Sequence, residues 1–206
     1  MDDDRRAFLT DLLTTPSPSG YEAVGQRVWV DYVREFADDV WTDDYGNAVA
    51  VHEGGGPSIA FGGHGDEIGY IVRDITDGGF LRIGSIGGAD RTVSKGQHVT
   101  VHAETPVAGV IGQTAIHLRD REDEYHDDIA EQFVDIGVED GDGAEELVDV
   151  GDPVTVETRV RPLHGTRMAA RGLDNRVGVW AAAEGLRAAV EADVDATVYA
   201  VSTVQE

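Results

Sequence analysis

One short stretch of the sequence, GGHGDEIGY at residues 62–70, places a histidine and a carboxylate among closely spaced glycines. His64 follows an apolar run that is typical of a buried strand, and Asp66 comes two residues later. A neutral imidazole can bind a divalent metal ion, and a nearby carboxylate can accept the other ring N–H and fix its tautomer. A solvated acidic turn with an incidental histidine is the alternative, and this stretch taken alone favours that alternative.

Two further carboxylates strengthen the metal interpretation. Asp174 begins a predicted helix after the turn ARGL, and Glu206 ends the apolar run ATVYAVSTV that starts at Ala196. Ligands of open α/β sheets bind beyond the carboxyl ends of the strands. Asp174 and Glu206 can both face that sheet edge, as His64 does. One carboxylate that bridges two metal ions and another that takes a proton from water are what amide hydrolysis requires.

The elements that would position these residues include three helices. The first is predicted from the acidic residues Asp2–Asp4 at its start and from an apolar stripe at Phe8, Leu9, Leu12 and Leu13. The second is predicted from Tyr21 to Ala37, and its buried face would comprise Val24, Val28, Tyr32 and Phe36. The third covers residues 174–190, and its buried face would comprise Val177, Ala181, Leu186 and Val190. Ser19 and Glu22 fit a capping box for the second helix, which is the favoured interpretation of SPSGYE.

Strands occupy most of the remaining sequence. The run SIAFGG at residues 58–63 is short and apolar, which favours a central strand of a parallel sheet. From Tyr70 to about Pro162, short alternating runs separated by glycine turns are typical of a small all-β unit, with a short helix near residues 144–148. We therefore predict an α/β fold with a mostly parallel sheet flanked by helices, formed by residues 1–70 and 164–206 and interrupted by an all-β insertion at 71–163.

The composition excludes several classes of function. Acidic residues number 40 and basic residues 16, which gives a net charge of -24, and Lys95 is the only lysine. Such a surface repels nucleic acids and anionic membranes, so neither is an expected partner. Concentrated salt would screen this self-repulsion, so we expect a halophilic source. The sequence has no cysteine, no signal peptide and no membrane-length apolar run, so we expect a cytoplasmic protein without disulfides or thiolate ligands.

Taken together, these motifs resemble the tetrahedral (TET) or glutamyl aminopeptidases, a family of cytosolic two-metal peptidases. The resembling segments occur in the family's order over essentially the whole chain: TTPSPSGYE, DDYGN, GGHGDEIGY, HVTVHAETPVAGVIG, FVDIG, VGDPVTV, RGLDNRVG and VSTVQE. This collinearity is far more specific than any single motif.

The resemblance implies a role for each candidate residue. His64 matches the first metal-binding histidine, and Asp66 matches the catalytic carboxylate that supports it. Asp174 matches the metal ligand that bridges the two ions, and Glu206 matches the catalytic general base. The cofactors would be two divalent ions, zinc or cobalt, and the substrate would be a peptide. Residues 1–70 and 164–206 would form the catalytic domain, and the insertion would be the dimerisation domain of a homo-oligomer, a dodecamer in the family.

The sequence departs from the family after VQE. The family pattern continues into a second, metal-binding glutamate and then into an aspartate and a histidine ligand, none of which is present here. We therefore expect a chain truncated after its general base, with the last strand as an unprotected sheet edge. An inactive remnant or assembly partner of a full-length paralogue is the alternative. A hydrolase of other amides is a weaker one, and a glycosidase is weaker still because no separate acid and nucleophile pair is visible.

The remaining histidines receive no role. His98 and His102 share a face of a predicted strand, but a satisfied or exposed pair is a better interpretation than a metal site. His52, His117, His126 and His164 are isolated in the sequence. The acidic run REDEYHDD at residues 121–128 could bind cations, but a solvated loop is the better interpretation.

Overall fold

The fold is described from a computed structural model that covers residues 2–113, 115–118, 127–157 and 159–206. Along the chain the elements are α1 (Asp3–Thr14), α2 (Ala23–Val33), β1 (Asp39–Thr42), β2 (Ala48–His52), β3 (Ser58–His64), β4 (Gly69–Ile75), β5 (Leu81–Ile86), α3 (Arg91–Ser94), β6 (His98–Val101), β7 (Val107–Ile111), β8 (Phe133–Asp135), α4 (Gly141–Glu145), β9 (Pro153–Val156), β10 (Arg161–Pro162), β11 (Met168–Ala169), α5 (Leu173–Glu191) and β12 (Thr197–Thr203). Single 3-10 turns lie at Ile116–Leu118 and Ile129–Glu131.

The chain divides into two compact units. The first comprises residues 1–67 and 158–206, and the second comprises residues 68–157. The predicted insertion covered residues 71–163. The second unit starts three residues earlier, at residue 68, and ends six residues earlier, at residue 157. Among the described residues, no helix is both long and apolar enough to cross a membrane.

The first unit is built on a four-stranded sheet with the order β1, β2, β12, β3. Only β12 and β3 are parallel, whereas β12 pairs antiparallel with β2 and β2 pairs antiparallel with β1. The prediction of a mostly parallel sheet is thus wrong for the described strands. The short turn at residues 43–47 can only return the chain antiparallel, whereas the long connection through α5 lets β12 run beside β3 in parallel.

The positions of β3 and β12 in the sheet also differ from the prediction. In the sheet formed by the described residues β3 is an edge strand, and Ile59 and Phe61 on it are 45% and 42% exposed. The last strand, β12, lies in the centre between β2 and β3, so it is not the expected unprotected edge. Apolar composition identified β3 as a strand, but sheet order depends on long-range pairing that composition does not encode.

Three helices pack with this sheet around one core. The predicted α1 is confirmed, together with its buried side chains Phe8, Leu9, Leu12 and Leu13. The cluster of buried apolar residues in this unit comprises Phe8, Leu12, Trp29, Val30, Val33, Ala48, Ala50, Val179, Ala182, Ala183, Leu186, Val198 and Ala200. Trp29 is fully buried, and its indole N–H donates to the Val179 carbonyl at 2.9 Å, which ties α2 to α5.

The predicted buried faces of α2 and α5 are confirmed only in part. Of the face predicted for α2, Val28, Tyr32 and Phe36 are half-buried and pack against the core. On α2 the buried residues are Gly25, Gln26, Trp29, Val30 and Val33, whereas Val24 is 56% exposed. On α5 they are Arg176, Val179, Ala182, Ala183 and Leu186, so only Leu186 of the predicted face is buried. A spacing of four residues drifts around a helix that has 3.6 residues per turn, whereas the observed sets follow the i, i+3, i+4, i+7 pattern.

The second unit is a closed barrel with the strand order β4, β5, β8, β7, β6, β9. Its core comprises Tyr70, Val72, Leu81, Ile83, Val99, Val101, Ile111, Ile129, Val134, Ala144, Val148 and Val154. The short helices α3 and α4 accompany the strands, and α4 begins three residues before the predicted short helix. Closure leaves no unpaired edge strand in the described barrel.

Three of the polar residues singled out in the barrel sequence have local partners. The His102 ring nitrogen Nε2 lies 2.8 Å from Thr155 Oγ1, and His98 is exposed. Of the acidic run at 121–128, residues 121–126 lie outside the described part of the chain. The two described carboxylates of that run, Asp127 and Asp128, pair with Lys95 and Arg91 respectively.

Candidate active site

The parallel pairing of β3 with β12 brings the two candidate strand ends together. His64 is the last residue of β3, and its register partner on β12 is Thr203, three residues before Glu206. Gly65, just past β3, donates its amide to the Thr203 carbonyl at 2.8 Å. The carboxyl ends of both strands therefore lie at one sheet edge, where α/β folds bind ligands.

The other predicted site residues all lie next to the ring nitrogens of the His64 imidazole. Its Nδ1 atom lies 3.2 Å from Asp66 Oδ1. Its Nε2 atom lies 3.3 Å from Asp174 Oδ1 and 2.7 Å from Glu206 Oε2. The structure thus brings all four predicted residues together, with one carboxylate at Nδ1 and two carboxylates at Nε2.

Asp66 is the buried member of this group, with 3% of its surface exposed. Its Oδ2 atom accepts a hydrogen bond from the Ser19 hydroxyl, and its Oδ1 atom faces His64 and, at 3.5 Å, the amide of Glu206. A carboxylate held in this way can accept the Nδ1–H of His64 and leave Nε2 free to bind a cation.

The capping-box interpretation of Ser19 and Glu22 is wrong. Ser19 donates to Asp66, and the side chain of Glu22, the N-cap residue of α2, makes no capping hydrogen bond. Glu22 Oε1 instead accepts the amides of Gly20 at 2.8 Å and Gln205 at 3.1 Å. Local spacing could not show these long-range partners, although both residues lie in TTPSPSGYE, one of the segments that carry the family resemblance.

Asp174 lies at the start of α5 but does not cap the helix. Asp174 and Asn175 have non-helical backbone angles, and Asn175 Oδ1 accepts the Gly178 amide at 3.0 Å. The Asp174 side chain is 95% exposed. Asn175 therefore caps the helical backbone, which leaves the Asp174 carboxylate accessible to a ligand.

A buried ion pair lies beside this group, and the sequence reasoning missed it. Arg176 Nη2 contacts Glu67 Oε1 at 2.6 Å, and both side chains are at most 2% exposed. Glu67 Oε1 also contacts Arg171 Nη2 at 3.3 Å and accepts the Ser17 amide at 3.0 Å. Burial lowers the pKa of the Arg171 guanidinium to about 10. Glu67 thus cross-links the three segments that carry Ser19, His64 and Asp174.

The DDYGN turn supports the other side of the site. Asp43 accepts hydrogen bonds from the Asn47 side chain and from three backbone amides of the turn, and these bonds lower the pKa of its carboxyl group. The Asn47 side-chain oxygen accepts the amide of Val204 at 3.0 Å. The turn therefore fixes the chain as it leaves β12 towards Glu206.

Comparison with known proteins gives the family of this chain. Residues 46–206 match the M42 glutamyl aminopeptidase family. The chain belongs to this family. Among curated relatives, the lysyl aminopeptidase of Pyrococcus furiosus is 31% identical over 204 residues, which are 97% of this chain and 58% of that protein.

Solved structures of TET peptidases extend the comparison. The TET aminopeptidase of a marine-sediment Thaumarchaeota archaeon has a TM-score of 0.94 and 29% identity, covering 100% of this chain and 60% of that one. The TET1 peptidase of Pyrococcus horikoshii, described as able to assemble into a tetrahedron or a large octahedral shell, has a TM-score of 0.88 and 33% identity, covering 98% of this chain and 61% of that one. The M42 chain described here spans between 54% and 58% of the length of the curated relatives that it matches over most of its own length.

The donor types at His64 suit a divalent cation, but their number is low. An imidazole nitrogen with two carboxylate oxygens beside it is a set that zinc and cobalt accept. In the part of the chain that the structure describes, no group of three or more His, Asp or Glu side chains is placed so that it could hold a metal ion. His64 and Asp174 alone fall short of the four ligands that a zinc site usually has.

Proposed function

We propose that this chain carries part of the catalytic site of a metal-dependent aminopeptidase, which removes N-terminal residues from peptides. The observation that supports this most strongly is the convergence of Asp66, Asp174 and Glu206 on the two ring nitrogens of His64. A bound metal ion would offset the mutual repulsion of the three carboxylates around this imidazole. Membership of the M42 family supports the same reaction class.

His64 and Asp174 are the residues proposed to hold the metal. His64, through Nε2, and Asp174 would hold two divalent ions, zinc or cobalt, and Asp174 would serve as a ligand shared by both. When bound, such ions polarise a carbonyl group and make a water molecule more acidic. Further ligands must complete the coordination, because two protein ligands are too few for either ion.

Glu206 and Asp66 are the proposed catalytic carboxylates. The Glu206 side chain is 72% exposed, so water and a peptide can reach it, and its oxygen already lies beside His64. It would take a proton from the attacking water and pass it to the leaving amine. Asp66, with Ser19 behind it, would keep His64 in the tautomer whose Nε2 is free.

The two structural units are proposed to have different roles. We propose that residues 1–70 and 164–206 form the catalytic domain and that the barrel, within 71–163, mediates dimerisation within a homo-oligomer. The assemblies described for Pyrococcus horikoshii TET1 support this proposal. Light scattering in high salt tests it, since a purely monomeric chain would contradict it.

A direct test of the reaction uses Glu206→Gln. The purified chain is supplied with Zn²⁺ or Co²⁺ in concentrated salt and assayed on aminoacyl p-nitroanilides. We expect metal-dependent release of nitroaniline, and we expect the substitution to abolish turnover while leaving bound metal unchanged, because glutamine cannot accept the proton. Turnover by the variant at the parent rate would refute the role of Glu206.

A second candidate is a non-catalytic assembly partner of a longer relative. The shortage of ligands in the described residues favours it, as do the exposed apolar side chains of Ile59 and Phe61 on the β3 edge. Metal content distinguishes the two functions. About two ions per chain would exclude the assembly partner, whereas a metal-free, inactive chain that binds a complete relative would support it.

A further inference from the structure

The backbone turns sharply immediately before Glu206. β12 ends at Thr203, and Gln205 has a φ angle of 56°, in the left-handed region that residues other than glycine rarely adopt. In the described chain the only other non-glycine residue with a positive φ is Asp193. A residue in this conformation needs support from its surroundings.

Three side chains from other segments supply that support. The amides of Val204, Gln205 and Glu206 donate in turn to Asn47 Oδ1 at 3.0 Å, Glu22 Oε1 at 3.1 Å and Asp66 Oδ1 at 3.5 Å. Three consecutive donors that leave the sheet ladder are therefore each taken up by a side-chain oxygen. The two shorter bonds, from the amides of Val204 and Gln205, hold the backbone on the N-terminal side of the turn.

The Gln205 side chain is held as well. Its Oε1 atom accepts a hydrogen bond from the Tyr45 hydroxyl at 2.8 Å. Glu22, which holds the Gln205 amide, is only 6% exposed and also accepts the Gly20 amide at 2.8 Å. Glu22 thus holds the main chain of Gln205, and Tyr45 holds its side chain.

We propose that Glu22 and Tyr45 are positioning residues for the candidate general base. By holding Gln205 in the left-handed conformation, they keep the Glu206 carboxylate on the side of the site where His64 lies. The inference rests on the proposed function of Glu206. A purely local role for Glu22 as a helix cap does not account for its contacts, because its side chain makes no capping bond.

Substitutions that remove each contact test this role through kinetics. Glu22→Ala and Tyr45→Phe should lower kcat about tenfold or more and leave KM within about twofold, because displacing a catalytic group costs rate more than binding. Glu22→Gln should recover most of the rate, since its amide oxygen can still accept both N–H groups. Tyr199→Phe is the matched control and should match the parent. Parent-like kcat values for both Glu22→Ala and Tyr45→Phe would overturn the proposal.

Gln205→Gly separates positioning from stability. Glycine adopts a positive φ without strain, so the variant should melt at the parent temperature or above it. It loses the Tyr45 contact and gains backbone freedom, so its kcat should still fall about tenfold. A variant with both parent-like melting and parent-like kcat would contradict the proposed role of Gln205.

A measurement without turnover distinguishes failure of this inference from failure of the proposed function. NMR of the full chain would follow the Gln205 amide and the His64 ring in the parent, Glu22→Ala and Glu22→Gln. We expect Glu22→Ala to speed hydrogen exchange at Gln205 and to shift the His64 ring signals, and Glu22→Gln to restore both. Unchanged exchange and ring signals in Glu22→Ala would overturn the positioning role even if the chain shows no peptidase activity.

Discussion

Arg176 and Glu67 form an ion pair inside the first structural unit, 2.6 Å apart, with both side chains almost fully buried. The pair joins the start of α5 to the turn that follows β3, and Arg176 Nε also points at the Gly65 carbonyl at 3.4 Å. The elements that carry Asp174 and His64 are therefore fixed to each other by buried charge.

Breaking this pair should destabilise the protein strongly. Arg176→Met leaves the Glu67 carboxylate buried with Arg171 as its cationic partner, and the expected cost is about 3 kcal/mol in the free energy of unfolding. Urea unfolding in concentrated salt measures the change. Arg34→Met is the control, since Arg34 pairs with Asp31 at 3.6 Å on the surface and should cost less than about 1 kcal/mol. Equal effects of the two substitutions would show that the buried pair has no special role.

The close approach of β3 to α5 predicts a contrast between two neighbouring glycines. A Cβ atom at Gly63 would lie 2.9 Å from the backbone of Gly178 and Val179, whereas one at Gly62 would lie 3.9 Å from Val201. Gly63→Ala should therefore cost about 1–3 kcal/mol, because backbone cannot move aside as a side chain can. Gly62→Ala should be close to neutral. Thermal melting curves of the two variants test this contrast. A Gly63→Ala variant as stable as the parent would contradict the observed packing.

Much of the site could be predicted from the sequence, but its supports could not. His64, Asp174 and Glu206 stand at strand ends or a helix start, and local periodicity marks such positions. Ser19 and Glu22 fitted a capping box because their true partners, Asp66 and Gln205, are distant in sequence.

The fold shows the same division between local and long-range information. Alternation and apolar runs located the strands and helices, but they could not show that β12 inserts between β2 and β3. Arg176 illustrates the limit for side chains. An arginine in the first turn of a helix is ordinarily exposed, and only the meeting of three chain segments makes it a buried partner of Glu67.

The Ser19 hydrogen bond should matter for metal affinity. Ser19→Ala removes the donor to Asp66 Oδ2 and loosens the carboxylate that orients His64, so zinc affinity should fall about tenfold to a hundredfold. Competition with a chromophoric chelator measures this. Ser58→Ala, at an exposed position of β3, should leave affinity unchanged. Undiminished affinity in Ser19→Ala would show that Ser19 does not support the site.

The net charge of -24 predicts a strong dependence on salt. At about 1 M salt the Debye length falls to about 3 Å, so repulsion among surface carboxylates is screened. The melting temperature should rise steadily between 0.1 M and 2 M KCl, and the chain should lose structure in dilute buffer. Full folding and solubility at low salt would contradict the expected halophilic source.

Metal binding by the parent chain and by His64→Ala, measured by calorimetry with Zn²⁺ in concentrated salt, tests the proposed site most directly. If His64 and Asp174 hold the metal, the parent binds zinc and His64→Ala loses that binding, while His98→Ala in the barrel behaves like the parent. Equal zinc binding by the parent and His64→Ala, or none by the parent, would contradict a metal site at the carboxyl ends of β3 and β12.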